Sequence, residues 1–332
     1  MNSEWSDFLR SRPQPTAGAG DCALHDLSHL GLLQVTGEDA QNFLQGQLTN
    51  DLREVSEGHS NLSGWCNAKG RMLASFRVCK RGDAFLLQLP TGLLEMAAKR
   101  LRMYVLMSQV EIEDVSDRLV RFGLSGNCAP ELLHGAFPEL PARANAVLRQ
   151  GEFTLIRLPG EVPRFELIAP PGPMMRLWQQ FEASAQRAPQ GAWELQEIHA
   201  GIPTIWPETS EAFVPQMANL QLIDGVSFTK GCYTGQEVVA RMQYLGKLKR
   251  RMYLAHVESP APPRPGDELF ASDSQSAQGT GKVVDARPAD GGYDLLAVIE
   301  IESAERGEVH LGPAGPRLTI RELPYPFATE SK

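Results

Sequence analysis

The run Lys230-Gly231-Cys232-Tyr233-Thr234-Gly235-Gln236-Glu237 brings a thiol, an ammonium, a phenol and a carboxylate close together in sequence. Thr234-Gly235-Gln236-Glu237 matches a capping box ahead of the apolar Val238, Val239 and Met242. Thr234 would take the N-cap, and Glu237 would reach back to its amide. Cys232 then stands just before a helix start, whose partial positive charge favours an anion, and Lys230 adds a cation. Both effects lower a thiol's pKa, and the thiolate is the reactive form. A capped helix with a buried, inert cysteine fits the same spacing, and spacing alone does not choose between the two.

Other residues carry weaker signals. Trp193, at one end of a helical stretch that breaks at Gly201, could wall a flat heteroaromatic ligand, though an anchor in a helix–sheet core is the commoner use of a tryptophan. The turn Ala68-Lys69-Gly70-Arg71 could meet a polyanionic tail, or simply hold solvated charges. Lys247, Lys249, Arg250 and Arg251 follow a helix end expected at Gly246, where cations suit the dipole without any nucleic acid. His25 and His29 have the spacing of helical metal ligands but no further ligand in sight, so no metal site is expected. Gly279-Thr280-Gly281-Lys282 is not a phosphate loop, because Ser276 and Val283 break that pattern.

These side chains need elements to position them. Leu30–Val35 reads as a strand, and an acid-rich start at Thr36-Gly37-Glu38-Asp39 opens a short helix ended by Gly46. Asn67-Ala68-Lys69-Gly70 joins two hairpin arms, and Arg81-Gly82-Asp83 makes a second turn into Ala84–Leu89. From Thr91, the residues Leu94, Ala97, Ala98, Leu101 and Tyr104 keep the helical period. Residues 1–20, with Pro13, Pro15, Gly18 and Gly20 among polar residues, read as a loose lead-in. Beyond Pro260–Pro265, the strand-like stretches Gly279–Ala286, Leu295–Ile301 and Leu318–Leu323 show no helical period and point to a small β-barrel or sandwich.

The whole chain sets outer bounds. Its 332 residues suggest two domains, or a large unit with a smaller one. With 42% hydrophobic and 22% charged residues it should build a sizeable core. A net charge of −8 disfavours nucleic acid as the primary ligand, since grip on phosphates comes from basic side chains. No apolar run approaches the roughly 20 residues of a membrane span, and the N-terminal stretch lacks the apolar core of a secretory signal. Five scattered cysteines (22, 66, 79, 128 and 232) form no ligand-spaced cluster and fit a reducing cytoplasm, most of them as small core residues.

KGCYTGQEVVARMQYLGKLKRRMY resembles the signature of the YgfZ group, bacterial relatives of a mitochondrial iron–sulfur assembly factor. HAGIPTIWPETSEAFVPQMANLQLIDGVSFTKGCY, LQGQLTNDL near residue 44 and CNAKGRML near residue 66 fit the same pattern, so the resemblance runs from about residue 30 to the C-terminus. That group is related to the T-protein of the glycine cleavage system, a tetrahydrofolate-dependent aminomethyltransferase. The resemblance implies an α+β fold: a ring of three subdomains around a folate-binding hole, with a folate-binding region over 1–246 and a C-terminal β-barrel over 247–327. It implies a cytoplasmic, monomeric protein that binds tetrahydrofolate and helps make or repair iron–sulfur enzymes, including those that thiolate tRNA. Iron–sulfur clients and their assembly machinery would be its partners, with no sequence-specific nucleic acid and no membrane.

Carried over by position, Cys232 is the functional thiol, and Lys230, Gly231, Tyr233, Gly235, Gln236 and Glu237 are its motif neighbours. Of these, Lys230, Tyr233, Gln236 and Glu237 count with Trp193 as folate-binding positions. A second folate tryptophan of the family falls at about Leu30, where this sequence departs. T-proteins carry acidic residues near the hairpin turn, one of them an aspartate beside the folate, whereas this chain has Lys69 and Arg71. A cation cannot stabilise the charge on the reacting amine, so aminomethyl transfer is the weaker alternative. A cysteine enzyme unrelated to folate would need a general base aimed at Cys232, and His199 is the only histidine near a motif.

Overall fold

Strand Val120–Ser125 is buried on both faces. In this computed structural model, which describes residues 2–15, 22–271 and 279–327, it lies inside a six-stranded sheet. The order is Gln186–Arg187, Ala23–Asp26, Val120–Ser125, Arg164–Ala169, Phe153–Leu158, Val147–Gln150, antiparallel except for the first pair. Because strand side chains alternate, Phe122, Leu124, Phe165 and Leu167 enter an apolar core with Trp178 and Phe181. Arg121, Gly123, Arg164 and Glu166 take the opposite face.

Residues 3–10 depart from the loose lead-in expected there. Ser3–Arg10 is a helix, started by Asn2, whose side chain accepts a 2.8 Å hydrogen bond from the Trp5 amide. Trp5 and Leu9, one turn apart, enter the core, and the Trp5 ring meets Trp178 edge-on at 5.7 Å. Trp5, Phe8 and Leu9 do keep the i, i+3, i+4 helical spacing, but over only eight residues and just ahead of Pro13 and Pro15. The remainder of that stretch, residues 16–20 with Gly18 and Gly20, lies outside the described residues.

The chain forms two compact units. The first holds residues up to Leu44, Leu52–Asn61 and Phe76–Trp193. Besides the sheet above, it pairs Ala84–Pro90, Leu30–Thr36 and Glu111–Asp114, covered by the helix Thr91–Arg102. Gly31 is glycine because a Cβ there would stand 2.0 Å from Leu94 Cδ1 of that helix. Cys22 and Cys128 are joined by a disulfide in this unit, Cα atoms 5.7 Å apart, rather than lying as separate core thiols. Their separation of 106 residues is why spacing could not pair them. Cys66 and Cys79 are free and buried, and burial pushes each thiol up to about 12.

The second unit holds Gln45–Asp51, Leu62–Ser75 and the chain from Glu194 onward. Its largest element is an antiparallel sheet ordered His310–Leu311, Glu268–Phe270, Gly281–Ala289, Gly292–Glu300, Arg250–Val257, Thr319–Arg321. A register shift between Val283 and Asp285 helps it curl. Backbone bonds from Leu318 to Val309 and from Leu311 to Pro316 link the segments that lead from one edge strand to the other. This is the β-barrel-like C-terminal element expected from the strand pattern. One short helix, Ile301–Arg306, was not foreseen, since six residues are too few to display a period. Among the described residues, no helix is long and apolar enough to cross a membrane.

Candidate functional site

In the second unit the hairpin turn and the Lys230–Glu237 run pack together. Asn67 closes the turn by accepting from the Gly70 amide at 2.9 Å, and Gly70 adopts φ +69°. Gly235 lies against it: a Cβ there would be 2.5 Å from the Asn67 carbonyl oxygen. Gly235 also has φ +86°, so space and backbone conformation both demand glycine.

That turn moves the helix start. The helix is Gln236–Tyr244 with Gly235 at its N-cap, and no side chain caps it. Thr234 was expected in that role, but the left-handed turn follows it, and its amide bonds the Gly46 carbonyl at 3.2 Å. Cys232 therefore lies outside the helix start, and it is exposed. Tyr233 beside it is buried, which pushes its phenol well up, an effect that neighbouring Cys66 strengthens. Gln236 is half-buried, and Glu237 is exposed in the first helical turn.

Lys230 does not project toward the thiol as a loose cation. It is buried, and its Nζ donates to the carbonyls of Gln45, Leu48 and Asn50 at 2.7, 2.6 and 2.8 Å. Its ammonium also stands 5.1 Å from the centroid of the Tyr233 ring. The segment it holds is tied down further: the Thr49 hydroxyl donates to Gly225 and accepts from the Gly64 amide, and Asn50 Nδ2 donates to Leu62 and Asp224. Of the turn cations, Arg71 donates to the Ala212 carbonyl at 2.7 Å, while Lys69 is exposed.

His199 belongs to a different cluster of this unit. Its Nε2 pairs with Asp294 at 2.8 Å, His256 Nδ1 takes the other carboxylate oxygen at 2.7 Å, and Arg321 reaches both oxygens. Burial opposes the charge on Asp294, but the hydrogen bonds from His199 and His256 and the Arg321 charge outweigh it and hold the carboxyl below its ordinary value. A depressed carboxylate contributes stability above its unfolded pKa and loses it as pH falls through the folded one. The stability gap between wild type and Asp294→Asn should therefore be level near neutrality and shrink below about pH 4. Urea unfolding from neutrality downward measures this, and a gap unchanged in acid would mean that the charge contributes nothing.

Trp193 lies in the first unit, near the start of the helix Ala192–His199, and is 3% exposed. Its indole covers Gly123, where a Cβ would come within 2.3 Å of Cζ3. His25 is 5.1 Å away ring to ring, and the Arg164 guanidinium 5.5 Å from the indole centroid. His25 lies on strand Ala23–Asp26, not on a helix, and bonds the Ser125 hydroxyl at 2.8 Å, which removes the helical spacing with His29. Burial, with the Arg164 charge beside it, pushes its imidazole down to about 3, so it is neutral.

Arg121, Arg164 and Glu166 were missed by sequence reading. They sit on the same strand face as Gly123, and all are buried. Arg121 donates to the carbonyl of Leu30, and burial pulls its guanidinium down to about 10, against the pull of Glu166. Gln88 Nε2 donates to Glu166 at 3.2 Å. Among the described residues, His25 Nδ1, Gln88 Oε1 and Arg121 Nη1 have no hydrogen-bond partner. The one readable signal was the alternation of charge with apolar residues in Val120–Ser125 and Arg164–Ala169. Beside Leu30 and Arg121 is a cavity of about 130 Å³, smaller than an ordinary ligand pocket.

The comparisons with known proteins agree with this architecture. Residues 16–230 match the family model described as the GCVT N-terminal domain. The glycine cleavage system aminomethyltransferase T from Bartonella henselae superposes with a TM-score of 0.74, covering 97% of this chain and 89% of its own at 19% identity, which shows a shared T-protein-like fold. The tRNA-modifying protein YgfZ of Colwellia psychrerythraea is 33% identical over 308 residues, 92% of this chain and 94% of the relative. The protein of the same name from Escherichia coli O45:K1 is 31% identical over 314 residues, 94% and 96% of the two chains. On these grounds the chain belongs to the YgfZ family.

Proposed function

We propose that the chain binds a reduced folate, tetrahydrofolate, and serves as an accessory protein for iron–sulfur enzymes, including enzymes that modify tRNA. The observation that carries this reading is the match to proteins named tRNA-modifying protein YgfZ over more than nine-tenths of both chains. The polar cluster around Trp193 fits a pterin in kind. His25, Gln88 and Arg121 hold buried polar atoms that no described residue uses, and a pterin offers both donors and acceptors. Bound tetrahydrofolate would supply one-carbon or reducing capacity. Trp193 and the Leu30 position are its proposed contacts in the first unit. A cytoplasmic location, a monomeric state and a division into regions 1–246 and 247–327 belong to the same proposal.

Titration with tetrahydrofolate should quench tryptophan fluorescence saturably, and absence of binding overturns the folate part. Aminomethyl transfer is not expected, because Lys69 and Arg71 stand where the transferase needs an acid. Incubation with tetrahydrofolate and an aminomethyl-loaded lipoyl carrier should yield no methylene-tetrahydrofolate above background, and turnover would favour the transferase.

Cys232 is the proposed functional thiol, and its motif neighbours Lys230, Tyr233, Gln236 and Glu237 are proposed folate-binding positions. Being exposed while Cys66 and Cys79 are buried, it should alkylate first near neutral pH. Cys232→Ser should change stability by less than about 0.5 kcal/mol, as befits an exposed position. The same variant should fail to restore tRNA thiolation in cells lacking the endogenous homologue. Full rescue would make the cysteine dispensable.

A further inference from the structure

Gly279-Thr280-Gly281-Lys282 is no phosphate loop, since a strand rather than a helix follows it. It nevertheless forms one wall of a cavity of about 640 Å³ in the second unit, within the size range of small-molecule sites. Three cations line that cavity, Arg71, Arg250 and Lys282, against one carboxylate, Glu268. A positive lining in a chain of net charge −8 runs against the molecule's own balance.

Two of the cations are anchored on backbone carbonyls. Arg71 is anchored on the Ala212 carbonyl at 2.7 Å, and Arg250 Nη2 on the Gly279 carbonyl at 2.6 Å. A guanidinium has five N–H donors, so one anchored Arg71 nitrogen leaves others to bind with. Lys282 meets Glu268 at 3.3 Å, with both side chains well exposed, a weak pair that a competing anion could displace. Thr280 is 1% exposed, and its hydroxyl has no hydrogen-bond partner among the described residues. That hydroxyl offers the cavity almost no surface, so the contacts to a ligand would come from the cations. Phe213 and Val298 give the same cavity an apolar side.

We propose that this cavity binds a phosphate monoester carried on an apolar or aromatic body of nucleotide size. A phosphate monoester is close to a dianion at neutral pH, which matches the net charge of the lining. Arginine guanidinium groups suit phosphate oxygens geometrically. Phe213 and Val298 would receive the body. The site shares Arg71 with the hairpin turn whose cations disfavour aminomethyl transfer, so competition with tetrahydrofolate separates it from the folate reading.

The probe is adenosine 5′-monophosphate, titrated calorimetrically into the full-length protein. It should bind saturably, adenosine should not, and tetrahydrofolate should not displace it. Lys282→Met removes an exposed ammonium, so the variant should fold, as circular dichroism will show. It should weaken binding by about tenfold, the loss expected for a charge-assisted hydrogen bond. The proposal is overturned by absence of binding, by equal binding of adenosine, by displacement with tetrahydrofolate, or by full affinity in the folded Lys282→Met variant.

Discussion

Lys230→Met should lower the stability of this protein by about 3–5 kcal/mol, because three buried backbone carbonyls would lose the donor they share. The ammonium donates to the carbonyls of Gln45, Leu48 and Asn50, and methionine fills a similar volume without a donor. Those oxygens would be left short of a partner where water does not reach, at about 1–3 kcal/mol for each one fully orphaned. Relaxation of the segment brings the sum down toward the stated range. The thermal midpoint should fall by about 10 °C, given a shift of about 2–4 °C per kcal/mol in a chain of this size class. Urea unfolding of the variant beside Cys232→Ser is the sharpest comparison, because two residues of one motif should then differ several-fold in effect. A Lys230→Met protein within about 1 kcal/mol of wild type would show that the ammonium is not a clamp.

Trp193→Ala should cost about 3–5 kcal/mol, the usual penalty for truncating a buried aromatic to alanine. The indole is 3% exposed and lies on Gly123, which cannot grow a side chain to fill the space without local shifts. Removing it would also open His25 and Arg164 to a void, since the imidazole and the guanidinium lie 5.1 and 5.5 Å from the indole centroid. The milder Trp193→Phe keeps an aromatic ring and a folded protein for ligand work. If the indole is a stacking wall, reduced-folate affinity should drop by about 1–3 kcal/mol in whichever variant stays folded. Unchanged affinity in a folded variant would assign Trp193 to the core alone.

Elements that carry their own period or turn chemistry could be read from sequence. The helix Thr91–Arg102, the turn Asn67–Gly70 and three of the six strands of the C-terminal sheet, Gly281–Ala289, Gly292–Glu300 and Thr319–Arg321, overlap the stretches where apolar spacing and glycine placed them. What failed to show was what depends on distant neighbours. A capping box is a local pattern, but Gly235 owes its place at the helix start to the hairpin turn at Asn67, far back in the chain. Charged residues in a strand normally read as solvent-facing, so Arg121 and Arg164 gave no warning that both faces of their sheet are covered. Lys230 read as a companion to the thiol because sequence offers it no nearer role, whereas its acceptors lie between 180 and 185 positions away.

The nature of those acceptors shapes how the motif can evolve. Lys230 is held by backbone oxygens, which are the same whatever side chains occupy positions 45, 48 and 50. No substitution at those positions can compensate for losing the ammonium, and none is needed to keep it. The contact should therefore leave no trace of paired substitution between the two segments in an alignment of relatives. A design or a covariation-based contact map would overlook the bond, although the lysine itself tolerates little change.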